Sequence, residues 1–289
     1  MSDAQLLKEA VTMAAALAQN LRISKPLPVD TDFTDAESIE VQTQIKALAI
    51  LPRRVLDAIY LAFTAKYLAA LVEALKKASL STQKTAVSAW IQAISILPEP
   101  KNNSYLRRFL LNNDLVAGLP NLIVERFLAG ITWAKPDGLG NICSLIMNTL
   151  QWCDTALGDD GHASVSKANR EALEKKLAEY IERFKAAGKD MSRRDVRPDL
   201  DTIELNRLHG MLRAIEHMPG PPGTTGYYLK STKDYLLGQI PGQEECDLCM
   251  DEEAAHVCSR CKSVRYCSTE CQGKAWKEGH RMRCFTCAF

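Results

Sequence analysis

The chain has 289 residues, 46% of them hydrophobic and 25% charged, with a formal net charge of +1. That is the composition of a globular chain with room for one large domain or two unequal ones, and it offers no single-sign field for a polyanion. Lys8 and Glu9 interrupt the start where a signal peptide would need an apolar run, and 11–18 is too short to span a bilayer.

Upstream of the last fifty residues, the pattern predicts helix after helix. Ser2 with Gln5 forms a capping box ahead of Leu6, Ala10, Met13 and Leu17, which share one face. Thr34 or Asp35 caps a second helix with Ile39, Ile45, Leu48 and Ile50 as its apolar positions, and Pro52 stops or kinks it. Residues 55–78 read as a long buried helix, and Ser81 or Thr82 starts another that ends at Leu97-Pro98. No window alternates with period two for long enough to make a strand.

The segment Ala47-Leu-Ala-Ile-Leu-Pro52 returns as Ala93-Ile-Ser-Ile-Leu-Pro98, an offset of 46 residues. This falls within the roughly 40–47 residue period of HEAT and armadillo repeats. With no third copy, two architectures remain open for an all-α body: stacked helical repeats or an irregular helical bundle.

Beyond Pro98, segments 105–111, 119–129 and 139–157 are apolar, and Trp90, Trp133 and Trp152 read as core residues. An amphipathic helix over 166–185 carries Leu173, Leu177, Ile181 and Phe184 on one stripe, with Glu171 and Lys175 as an i,i+4 pair. Another over 202–218 turns Leu205, Leu208, Leu212 and Ile215 inward. The Pro-Gly run at 219–223 breaks the helical regime, and 227–240 is either a short helix packing back or linker. The expected division is a helical domain at 1–218, a linker at 219–243 and a small module at 244–289.

That module holds eight of the ten cysteines, in the spacing C-x2-C-x8-C-x2-C-x5-C-x3-C-x8-H-x3-C from Cys246 to Cys284. A short spacing lets one backbone turn aim two donors at one metal, so each pair is half of a site. Cys246, Cys249, Cys258, Cys261, Cys267, Cys271, His280 and Cys284 are therefore candidate ligands for two structural Zn²⁺ ions. A redox dithiol would need one such pair only, and a disulfide framework would need a secreted context. Cys287 competes with Cys284, though the H-x3-C spacing favours Cys284. His256 would displace a complete C-x2-C pair and reads as a loop residue. Eight ligands fill two tetrahedra and leave no open position for catalysis. So many free thiols suit a reducing intracellular compartment, cytoplasmic or nuclear.

The string Tyr266-Cys267-Ser268-Thr269-Glu270-Cys271-Gln272, followed by Trp276, His280 and Cys284, resembles a MYND-type zinc finger over about 40 of the 289 residues. Three residues separate Trp276 from His280 where many members have two, which touches the pitch of the last helix and not the ligand count. The resemblance implies cross-brace pairing: Cys246, Cys249, Cys267 and Cys271 on one ion, Cys258, Cys261, His280 and Cys284 on the other. Thr269 with Gln272, or Ser268, caps the helix after the fifth ligand. In this family the finger binds short proline-containing peptides, and the residues that line its groove carry over to Gln272 and Trp276.

Charge argues the same way. Residues 246–289 carry seven Lys and Arg against six Asp and Glu; seven thiolates and two Zn²⁺ bring the module near minus two, too little positive charge to read phosphates. The chain lacks an Asn-His dipeptide for a SET-type methyltransferase and a His-x-Asp/Glu for a dioxygenase. A RING-type ligase expects its histidine in the middle of the ligand series, and here it is seventh. The expectation is a non-enzymatic protein-interaction adaptor. The alternatives are a transcription-linked regulator touching nucleic acid through the helical body, where Arg193, Arg194 and Arg197 cluster, and a zinc cap that only closes that body.

Overall fold

The computed structural model describes every residue except 1, 26, 29, 80, 132–137, 190–197, 219, 222–223, 241–243 and 252. Trp133 and the Arg193, Arg194 and Arg197 cluster lie outside the described residues, as does part of the 219–223 break.

Local chemistry explains where the helices begin. In α1 (Asp3–Asn20), the Gln5 amide donates to Ser2 Oγ at 3.3 Å, while the Gln5 side chain turns to Glu9, so only half of the box forms. The box is complete at α2 (Asp35–Ala49), where Thr34 Oγ accepts from the Glu37 amide and the Glu37 carboxylate accepts from the Thr34 amide. Its buried stripe is Val41, Ile45 and Leu48. Ile39 and Ile50, expected inward, are 62% and 85% exposed. Ile39 is off the i, i+4, i+7 stripe, and Ile50 stands past the last helical residue.

Pro52 separates α2 from α3 (Arg53–Lys77) and serves as the residue before its first turn, where a missing N–H costs nothing. Helix α3 is the one described helix long and apolar enough to cross a bilayer, but 67% of its most apolar window is buried here, as in a core helix. Then come α4 (Lys84–Ser95), α5 (Ser104–Leu110), the short α6 (Asn113–Val116), α7 (Leu119–Ala129), α8 (Leu139–Trp152), α9 (Lys167–Ala186), α10 (Leu200–His217) and α11 (Tyr227–Leu237). Both copies of the 46-residue echo end a helix, but Ala47, Ala49 and Ile50 are exposed where Ala93 and Ser95 are buried and Ile96 is half-buried. Stacked repeats would bury equivalent positions alike. This body is an irregular all-α assembly.

The contacts gather into two units. The first joins Met1–Val87, Leu97–Phe109 and Asp234–Phe289, and the second joins Ser88–Ile96 and Leu110–Lys233. This grouping runs across the expected 1–218, 219–243 and 244–289 division, because the C-terminal residues share contacts with α1, α3 and α5. In the first unit α1 lies along α3, and buried Gln83 donates to the Pro28 and Thr31 carbonyls at 3.0 Å. Asp32 accepts from the Thr85 and Ala86 amides, satisfying the free N–H groups at the start of α4. In the second unit α10 packs on α8 and α9, with α7 against α8 and α9. Leu205, Leu208, Leu212 and Ile215 face inward as expected, as do Trp90 and Trp152. Glu171 meets Lys167 at 3.9 Å, one turn back, where Lys175 one turn ahead was expected.

Candidate metal centre

Two short strands, β1 (His256–Val257) and β2 (Arg265–Tyr266), pair antiparallel and form the spine of the C-terminal module. Each C-x2-C pair closes a tight turn. The Met250 amide donates back to the Cys246 carbonyl at 3.0 Å, and the Lys262 amide to the Cys258 carbonyl at 2.8 Å. The residue after each second cysteine is left-handed, Met250 at φ 63° and Lys262 at φ 53°. A side chain there costs on the order of 1–3 kcal/mol, and no glycine in the sequence signals it.

The hairpin then distributes the donors. Cys246, Cys249, Cys267 and Cys271 form one group and Cys258, Cys261, His280 and Cys284 the other, with all ligand atoms of a group within 4.8 Å of one another. In the first, the Sγ atoms of Cys249 and Cys267 are 3.5 Å apart, those of Cys267 and Cys271 3.5 Å, and those of Cys271 and Cys249 3.8 Å. In the second, Cys258 and Cys284 are 3.7 Å apart, and His280 Nε2 lies 3.5 Å from Cys258 Sγ and 3.7 Å from Cys261 Sγ. A tetrahedron with Zn–S near 2.3 Å has an S···S edge of about 3.8 Å, whereas a disulfide bond measures about 2.05 Å. The spacing fits zinc and excludes disulfides. The donor set fits as well, since thiolate with one imidazole is what zinc prefers in closed sites.

The thiols are electrostatically arranged for the metal. The Cys284 thiol and then His280 draw Cys261 down to about 4. Burial opposes ionisation of Cys246, but the amides of Cys249, Cys267 and Leu248 bring it down to about 6. Cys267 is pushed up to about 12 by its bonds to Cys249 and Cys271. So many thiols packed together cannot all ionise without a cation among them.

Residues 246–284 match the family model of the MYND finger. This module is a MYND finger. Its eight donors fall into two tetrads in the cross-brace order, consistent with two zinc ions. Short stretches resemble curated proteins: ubiquitin carboxyl-terminal hydrolase 19 of Arabidopsis thaliana, 39% identical over 62 residues, and ubiquitin C-terminal hydrolase 15 of Oryza sativa subsp. japonica, 40% identical over 67. Those stretches are 22% and 23% of this chain but only 9% and 6% of the relatives, and they lie in the finger region. The chain thus spans less than a tenth of the relatives it matches. No solved structure matches it.

Within the MYND finger, helix α12 (Thr269–Ala275) starts at Ser268, whose Oγ accepts from the Cys271 amide at 3.2 Å, so Ser268 and not Thr269 is the cap. The chain kinks between Trp276 and His280 at Gly279, whose φ is 148°. Helix α13 (Arg281–Arg283) follows, and Cys284 takes an extended conformation just past it. Neither alternative donor joins either group. Exposed His256 sits in β1, a strand where a loop was expected, and the Cys287 thiol donates to the Phe289 carbonyl at 3.1 Å.

The two interaction candidates lie together. Gln272 is half-buried, and Trp276, four residues on, is 39% exposed. The other edge of the indole meets His280, with ring centroids 5.8 Å apart, and Tyr266 meets the same imidazole at 6.0 Å. What the sequence did not reveal is the anchor of the finger's tail. Tyr105 in α5 accepts from the Phe285 amide at 2.7 Å, and its hydroxyl lies within bonding distance of the Arg283 and Phe285 carbonyls. The Ala288 amide donates to the Ala65 carbonyl of α3 at 2.9 Å, and Phe289 stacks edge-on against Phe109. Asp3 bridges Arg54 and Arg281.

Proposed function

We propose that this chain is a non-catalytic adaptor, whose MYND finger binds short proline-containing peptide segments of partner proteins through Gln272 and Trp276. The observation that carries the reading is Trp276: an indole 39% exposed in a module where Tyr266 and Phe285 are buried. Proline loses little entropy on ordering and its ring packs on indole, while the Gln272 amide can pair with the peptide backbone. One short peptide covers little area, so affinity is on the order of micromolar, with multivalency supplying the rest. None of the ten cysteines is in a disulfide, which supports a reducing compartment, cytoplasmic or nuclear. The hydrolase names of the relatives belong to those longer proteins.

The test is titration of a labelled proline-containing peptide into the zinc-loaded protein. Trp276→Ala abolishes binding and keeps two zinc ions by elemental analysis. Loss of zinc in that variant would instead favour the second reading, a finger that only closes the first unit. That reading has its own support in the Trp276–His280 contact and the Tyr105 anchor.

A further inference from the structure

Away from Trp276, the finger's tail and the N-terminal helices of the first unit enclose a groove of about 420 Å³. That volume lies within the range of natural ligand pockets, about 300–1,000 Å³. Its floor is made of small side chains, Ala14 of α1, Ala62 of α3 and Ala288 of the tail. Tyr67 and Phe285 supply aromatic walls, and Val11, 41% exposed, leaves the mouth apolar. The Ala288 amide is already bonded to the Ala65 carbonyl, so the tail offers an incoming chain side-chain surface and not that N–H.

Charge decides the occupant. Two exposed cations line the groove, Lys66 on α3 and Arg260 in the Cys258–Cys261 turn, and no carboxylate lines it. Lys66 Nζ stands 5.3 Å from the Tyr67 ring centroid, and neither cation pairs with an acidic side chain among the described residues. Nearby, Arg108 donates to the Lys262 carbonyl, adding two more positive groups. An apolar floor between unpaired cations fits neither a nucleic-acid backbone, which needs a longer basic track, nor a neutral ligand, which would leave the cations unused. We propose that this groove is a docking site for an acidic peptide segment, which seats a large apolar side chain against Tyr67 and Phe285 and its flanking carboxylates against Lys66 and Arg260. The site is separate from the Trp276 surface and does not depend on it.

The experiment uses the full zinc-loaded chain and a short fluorescein-labelled peptide with a central Phe-Leu pair between glutamates, followed by anisotropy. The wild type binds it, more weakly at high salt, and binds the glutamine-flanked version more weakly. Each of Lys66→Glu and Arg260→Glu weakens binding by about tenfold, as expected for a charge pair at an interface rim. Both variants keep two zinc ions, and Trp276→Ala binds as the wild type does. Should Arg260→Glu lose metal, Lys66→Glu on α3 carries the test alone. No binding by the wild type, equal binding of the glutamine peptide, full binding by Lys66→Glu, or loss in a Trp276→Ala variant that keeps both zinc ions would each overturn the proposal.

Discussion

The finger and the α7–α10 part of the second unit differ in what stands at their centres. Between α7 and α10 the centre is hydrocarbon: Ile123, Val124, Ile142, Ile146, Leu150, Leu173, Leu208 and Leu212 are all buried. The one buried cation there among the described residues, Arg170, is matched by Asp160 at 2.6 Å, Glu216 at 2.7 Å and the Val165 carbonyl. In the finger, Met250, Val257 and Trp276 are exposed, and Tyr266 and Phe285 remain as its large buried side chains. So small a core cannot offset the ordering entropy of about 40 residues, nor two left-handed residues besides. Two zinc ions can, at roughly 10–16 kcal/mol of apparent binding free energy each. The lesson is that one chain holds a region fixed by packing and a region fixed by metal, and different perturbations reach them.

The sharpest way to break this comparison is to remove a ligand. Cys258→Ala should lose the second zinc and disorder the finger, an effect on the order of 10 kcal/mol locally, with far-UV helicity largely kept and elemental analysis reading the metal. Chelation of the wild type should open cleavage sites beyond about residue 240 while α7–α10 stay protected. Protection lost across α1 and α3 as well would mean that the first unit unfolds with its metal, against a separable finger after 219–243.

Next in size is Arg170→Met, which removes the shared partner of Asp160 and Glu216. Breaking a buried pair from one side costs about 3–5 kcal/mol, so thermal unfolding of the second unit shifts down with zinc content unchanged. Tyr105→Phe comes third. It leaves the Phe285 amide without its acceptor, a loss of about 1–3 kcal/mol, seen as faster amide exchange in 285–289 while both metals remain.

The smallest effect is a pH dependence. Lys189 first, then Thr202, hold the Asp199 carboxyl at about 2, below its ordinary 3.8. A depressed acid stabilises the fold above its unfolded value and loses that contribution as pH falls through about 2. Asp199→Asn keeps the cap of α10 but flattens this part of the acid profile, read from exchange of α10 amides so that zinc loss does not intrude. The side chain is nearly half exposed, which keeps the change small.

The metal sites were legible because ligand chemistry writes itself as spacing, and caps such as Ser2 and Thr34 because they act within one turn. Three things stayed hidden. The burial of α2 depends on what it packs against, so Ile39 and Ile50 looked inward on hydrophobicity alone. The left-handed Met250 and Lys262 carry no glycine to mark them. The Tyr105 anchor joins residues 180 apart in sequence, and no local pattern records such a pair.

The discontinuity of the first unit has a consequence for how the chain comes into being. A ribosome releases the chain from the N-terminus, so 110–233 emerges whole and can close on itself while 234–289 is still being made. Helices α1 and α3 meanwhile lack Arg281 for Asp3 and Ala288 for Ala65, contacts that close loops of more than two hundred residues. Contacts that distant form slowly. Helices α1 and α3 are therefore made long before the segment that completes them, and their completion waits on a finger that needs metal.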